Sequence, residues 1–125
     1  MYMSMSIDCF NCSTIQSDCY SPNCISADGN QRPIRVVNKQ LPGPSIQVCL
    51  NDVIIVNVQN NMNTFESTSL HWHGQLQLGT PHMDGPSLVN QCPIPPMSSF
   101  QYKFTALDRG THFWHSHSST QRADG

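Results

Sequence analysis

Asp52-Val53-Ile54-Ile55-Val56-Asn57-Val58-Gln59 is the stretch on which the fold class turns. Ile54, Val56 and Val58 alternate with Ile55, Asn57 and Gln59. That period of two marks a half-buried β-strand, because successive side chains on a strand leave by opposite faces. C-terminal to it, Asn60–Ser67 is a polar connection and Thr68–His73 reads as another strand. Gly79–Pro96 is rich in glycine and proline and reads as a long ordered loop. Ser99–Thr105 repeats the alternation, with Phe100, Tyr102 and Phe104 set against Gln101, Lys103 and Thr105, and Gly110–His117 is the last strand. N-terminal to it, Ser45–Cys49 is expected to be a strand, Leu41-Pro42-Gly43-Pro44 a turn, and Ile34-Arg35-Val36-Val37 a short β-branched strand. Helical periodicity reaches no convincing length. Short strands separated by turn signals predict an all-β sandwich or barrel.

Composition narrows the function. The chain has 125 residues, enough for one domain with a modest core. Its net charge is -2, and six scattered basic residues form no stripe that could track phosphates, so the sequence gives no support for nucleic acid as a partner. No apolar run approaches the roughly 20 residues that a membrane-spanning helix needs.

Residues 1–32 form an irregular cysteine-rich segment, in which Cys9, Cys12, Cys19 and Cys24 sit among serine, asparagine, aspartate and proline. Two chemistries compete for them. Cys9-x-x-Cys12 has the spacing of a zinc ligand pair, but Cys19 and Cys24 are spaced more loosely, which favours disulfides tying down a loop. Four cysteines allow three pairings, and spacing does not choose among them. Six cysteines in a chain of this size point to an oxidising compartment. The segment Met1–Phe10 nevertheless lacks the basic and apolar regions of a signal peptide. A missing upstream segment reconciles the two, and the sequon Asn11-Cys12-Ser13 fits a secreted chain.

The histidines carry the chemistry. Four of the six form two pairs, His71-Trp72-His73 and His115-Ser116-His117. On a strand each pair presents two imidazoles on one face, about 7 Å apart. That spacing suits two neighbouring ions better than one ion bound at about 2 Å. If the two strands lie side by side, four imidazoles converge. An all-nitrogen donor set suits copper, and suits zinc as well. Trp72 and Trp114 fall on the opposite face, where they can fill a core. His112 has the other parity from His115 and His117, so it reads as structural or superficial, and His82 sits unpaired in the loop.

At these residues the chain resembles the multicopper oxidases. Leu70-His71-Trp72-His73-Gly74 with Gln77 looks like the first copper motif of that family, and His115-Ser116-His117 with Gln121 looks like the second. Met83-Asp84-Gly85-Pro86 and Asn90-Gln91-Cys92-Pro93-Ile94 resemble the connecting segment in laccases. Leu41-Pro42-Gly43-Pro44-Ser45-Ile46-Gln47-Val48-Cys49 matches upstream, and the cysteine-rich lead into Ala27-Asp28-Gly29 is similar to that of insect laccases. Trp-His-Gly and Gln-Cys-Pro-Ile do not fit the superoxide dismutases, which also carry His-x-His on strands.

The resemblance implies a cupredoxin-like Greek-key β-barrel, with residues 33–125 as the first such domain of a longer secreted protein, lacking its last strands. It implies that His71 binds a type 2 copper and that His73, His115 and His117 bind a type 3 pair, half of a trinuclear copper cluster. It also implies that Asp84 is a carboxylate assisting proton delivery; the alternative is a plain Asp-Gly turn. Dioxygen and a phenolic reducing substrate would be the partners, the phenol bound by later domains. The family's type 1 site is absent, and no histidine flanks Cys92 at the needed spacing. In laccases a cysteine in this setting pairs with a later domain. The alternative function is a non-catalytic extracellular copper-binding module.

Overall fold

The computed structural model describes residues 2–5, 9, 11–12, 14–22, 24–25, 33–62 and 64–124. Contacts divide the chain into two compact units, Met1–Pro44 with Asp124–Gly125, and Ser45–Ala123.

In the first unit, β1 (Tyr2–Met5) pairs antiparallel with β2 (Pro33–Val36), Tyr2 opposite Val36 and Met5 opposite Pro33. This corrects the expectation that residues 1–32 are wholly irregular. The β-branched residues of β2 present a ladder edge that β1 completes, and Gln16–Tyr20 forms a 3-10 turn. The cysteines form disulfides, Cys9–Cys24 and Cys12–Cys19, the shorter loop nested inside the longer. The zinc reading is thereby set aside. Ser13 of the sequon and Ala27-Asp28-Gly29 lie outside the described residues.

The second unit is built on the alternating strands. β3 (Val53–Gln59) pairs antiparallel with β5 (Ser99–Thr105) in a register that sets Ile54 against Phe104, Val56 against Tyr102 and Val58 against Phe100. Apolar residues thus face apolar residues across the ladder, the arrangement that stabilises a sheet pairwise. The opposite face carries Asn57 and Gln101, whose side chains hydrogen-bond at 2.8 Å. A second two-stranded sheet joins β4 (Leu70–His73) to β6 (Phe113–Ser116). The core is made by Val58, Leu70, Trp72, Ile94, Tyr102 and Phe104, with Trp114 packed against it. Trp72 is 4% exposed and lies edge-on to Tyr102, with ring centroids 5.3 Å apart. Such aromatic pairs contribute about 0.5–1.5 kcal/mol beyond their buried area.

Residues 45–49 differ from expectation, because they form no strand. The Asp52 carboxylate accepts the Cys49 N–H at 2.8 Å, and no strand among the described residues pairs with the segment. The Asn60–Ser67 connection is anchored by buried Asn60, whose amide donates to the carbonyls of Glu66 and Ile94. The long loop is ordered as expected: it holds a 3-10 turn at Pro81–Met83 and isolated bridges Thr68–Ile94 and Ser87–Gln91.

Candidate metal centre

The site follows from the register of β4 on β6. Antiparallel pairing sets His71 opposite His115, Trp72 opposite Trp114 and His73 opposite Phe113. Because strand residues alternate faces, one side of this ribbon is indole and the other imidazole. The first strand is fixed from behind: the Tyr102 hydroxyl accepts the Leu70 N–H at 2.9 Å, and burial pushes the Tyr102 phenol up from its ordinary pKa. His117 lies just past β6, where its N–H donates to the Ser69 carbonyl at 2.9 Å and extends the pairing.

Four rings gather on the imidazole face. The His71 centroid is 5.4 Å from those of His73 and His115 and 5.7 Å from that of His117; His115 and His117 are 6.1 Å apart. Within each pair the rings are closer than the strand repeat of about 7 Å. His71, His73 and His115 each offer a ring nitrogen within 4.8 Å of the others. His73 and His117 are exposed, so the face is open.

Two rings are oriented by backbone carbonyls. Nδ1 of His71 lies 2.7 Å from the Asp84 carbonyl oxygen, and Nδ1 of His115 lies 2.8 Å from the Ser116 carbonyl oxygen. A carbonyl only accepts, so each Nδ1 carries the proton and Nε2 keeps its lone pair for a cation. Burial lowers the His115 pKa; the hydrogen bond to Ser116 opposes this, and repulsion from His71, His73 and His117 adds to it. The Asp84 carboxylate also approaches His71 Nδ1, at 3.4 Å. Asp84 therefore stands behind His71, on the ring edge away from the free lone pair.

Gly85 makes this approach possible. Its φ is +104°, and a Cβ there would lie 1.9 Å from the Leu70 carbonyl oxygen. Only a residue without a side chain lets the loop lie so close to β4. Gly74, immediately after β4, has a similar role: its φ is +84°, and a Cβ would meet His112 Nδ1 at 2.7 Å. His112 also lies 3.3 Å from the Arg109 carbonyl, as the structural reading of that residue expects. His82 lies exposed in the 3-10 turn, and it is not among the grouped imidazoles.

Three contributors were not singled out for these roles in the sequence. Gln121 is 6% exposed and accepts from Thr68 Oγ1 at 2.9 Å and from Ser116 Oγ at 2.8 Å. Its amide donates to the Ser67 carbonyl at 3.0 Å and to the Glu66 carboxylate at 3.3 Å. This network clamps Ser116, which stands between two imidazoles. Gly85 was the second and Phe113 the third: Phe113 stacks on His73 at 4.4 Å and on His115 at 5.2 Å. Parity could have flagged Phe113, since it lies two residues before His115.

Comparison with known proteins places this arrangement. The family model for multicopper oxidases matches residues 19–125. The chain belongs to the multicopper oxidase family. It is 52% identical over 101 residues to a laccase-1 of Cryptococcus neoformans var. neoformans, covering 80% of this chain and 16% of that protein. An iron transport multicopper oxidase of Gibberella zeae is 47% identical over 95 residues, covering 76% of this chain and 15% of that protein. Among solved structures, a laccase from Botrytis aclada superposes with a TM-score of 0.73 at 41% identity, covering 81% of this chain and 19% of that one. The chain thus spans about a sixth of the curated relatives named here. Its all-β fold is the cupredoxin fold of multicopper oxidases, as the motifs implied. The donor set fits the family's metal: imidazole nitrogens suit copper, and two of the rings have their lone pairs freed by carbonyl contacts.

Proposed function

We propose that this chain is the first copper-binding domain of a secreted, laccase-like multicopper oxidase that oxidises diphenols and related phenolics while reducing dioxygen to water. The observation that carries this reading is the convergence of His71, His73, His115 and His117 on one face of a paired ribbon. His71 would hold the type 2 copper, and His73, His115 and His117 the type 3 pair. Copper held by these residues would supply the redox chemistry for reducing dioxygen to water. The protein's own residues do the rest. The carbonyls of Asp84 and Ser116 hold two rings in one tautomer, and the indole face behind them fixes the strands. From its place behind His71, Asp84 would assist proton delivery, the role its motif position implies. The exposed imidazole face leaves room for the remaining ligands, which would come from elsewhere in the full-length protein, as would the type 1 site. Two disulfides support an extracellular setting, and among the described residues no helix is long and apolar enough to cross a membrane.

The test is dioxygen uptake by the copper-loaded full-length protein with a diphenol, with peroxide assayed in parallel. Expected is diphenol-dependent uptake without peroxide, abolished by His73→Ala. Uptake driven by ferrous iron but not by diphenols would refute the laccase reading and keep the oxidase one. The second reading, a non-catalytic copper-binding module, rests on the same four gathered imidazoles. It predicts copper binding with no uptake on any reductant.

A further inference from the structure

Phe113 is 58% exposed, yet it does not serve the core, since Trp114 beside it takes the inward face. It instead shares the metal face. Antiparallel register sets it directly across from His73, and alternation sets it on the same side as His115. Its ring lies nearly parallel to both imidazoles, 20° from His73 and 26° from His115, with centroids 4.4 Å and 5.2 Å away. One aromatic ring therefore stacks with two candidate ligands.

We propose that Phe113 is a positioning residue of the metal centre, whose ring holds His73 and His115 in their ligating orientation and favours their metal-bound form over the free one. The inference rests on the reading of these imidazoles as a copper centre. Two physical effects support it. His73 is exposed, and among the described residues no hydrogen bond holds its ring in the way that carbonyls hold His71 and His115, so the stack at 4.4 Å, nearer than the His71 and His115 rings at 5.4 and 5.7 Å, is its closest ring contact and limits its rotation. Rotational freedom kept in the empty site must be given up on binding. A cation bound to an imidazole also draws electron density from the ring. The electron-rich face of phenylalanine attracts that depleted ring more strongly than the neutral one. Both effects lower the free energy of the loaded state relative to the empty state.

The experiment uses the full chain with Cu(II) alone as the probe. Affinity is read by chelator competition, ligand geometry by electron paramagnetic resonance, and integrity by the thermal midpoint of the metal-free protein. Phe113→Leu keeps an apolar side chain and removes the aromatic face; Phe113→Tyr keeps the face. Expected is binding about fivefold weaker in Phe113→Leu, with an altered copper hyperfine pattern. Phe113→Tyr should stay within about twofold of the parent, and both variants should keep the parent's thermal midpoint. Equal affinity and identical spectra in Phe113→Leu would overturn the proposal, as would equal losses in both variants. A parent chain that takes up no Cu(II) would overturn the copper reading and this inference with it.

Discussion

Replacing Gly85 with alanine puts a methyl group where two backbones already touch. On the observed backbone the new Cβ would lie 1.9 Å from the Leu70 carbonyl oxygen, 2.5 Å from its carbon and 2.8 Å from His71 Cα. Ordinary contact begins near 3.4 Å, so the loop and β4 must separate by about 1.5 Å. The positive φ adds a conformational cost of about 1–3 kcal/mol for a residue with a side chain. As the loop retreats, the Asp84 carbonyl leaves hydrogen-bonding range of His71 Nδ1, now 2.7 Å away, which removes about 0.5–1.5 kcal/mol more. Gly85→Ala should therefore destabilise the fold by about 2–4 kcal/mol in urea denaturation. Loss of a group that orients a metal-ligating histidine should weaken copper about 10- to 100-fold in chelator competition. Asp84→Asn is the companion variant, because it keeps the backbone carbonyl at 2.7 Å and alters only the carboxylate at 3.4 Å. It should weaken copper less than Gly85→Ala does. Unchanged stability and copper affinity in Gly85→Ala would refute the argument that loop proximity sets His71.

Three further outcomes are expected. Gln121→Leu removes the acceptor shared by the Thr68 and Ser116 hydroxyls and should cost about 2 kcal/mol in chemical denaturation; a change too small to measure would show that the hydroxyls satisfy each other. His115 is held below its ordinary pKa of 6.5. On acidification the unfolded chain therefore takes the proton first, so its contribution to stability is full above pH 6.5 and is lost as pH falls through the lower folded value. Unfolding midpoints of the metal-free chain should fall on that side of pH 6.5, and His115→Asn should flatten the decline; an identical pH profile in the variant would sink the assignment. Peptide mapping without reductant should recover Cys9 linked to Cys24 and Cys12 linked to Cys19, with chelators leaving the pattern unchanged. Recovery of Cys9 linked to Cys12 would contradict the nested pairing.

Period-two patterning was enough to place β3 and β5 and to put Ile54, Val56, Tyr102 and Phe104 inward, because a sheet with one buried face writes its geometry into alternation. The same logic put Trp72 and the flanking histidines on opposite faces. Alternation is silent on what a strand pairs with, however, and Ser45–Cys49 has the pattern without a partner among the described residues. β1 escaped for the converse reason: its pairing is set by the edge that β2 offers rather than by its own pattern. Within the site, residue types announced the imidazoles, but their orientation depends on main-chain carbonyls of Asp84 and Ser116, which every residue possesses and no side-chain pattern reveals. Gly85 looked like a turn glycine, and only the tertiary approach to β4 gives it a second role. The disulfide pairing needed the loop's path through space, since all three pairings satisfy the same spacing.

The alternation of indole and imidazole across β4 and β6 also bears on how the chain avoids misfolding. A slip of one residue between these strands would rotate one of them by a face, driving histidines into the space that Trp72 and Trp114 occupy and turning indoles to solvent. The wrong register would lose the core and scatter the donors in one event. A chain that buries its tryptophans correctly has thereby already gathered its imidazoles, and a cation that bound them would favour the chains that folded in register.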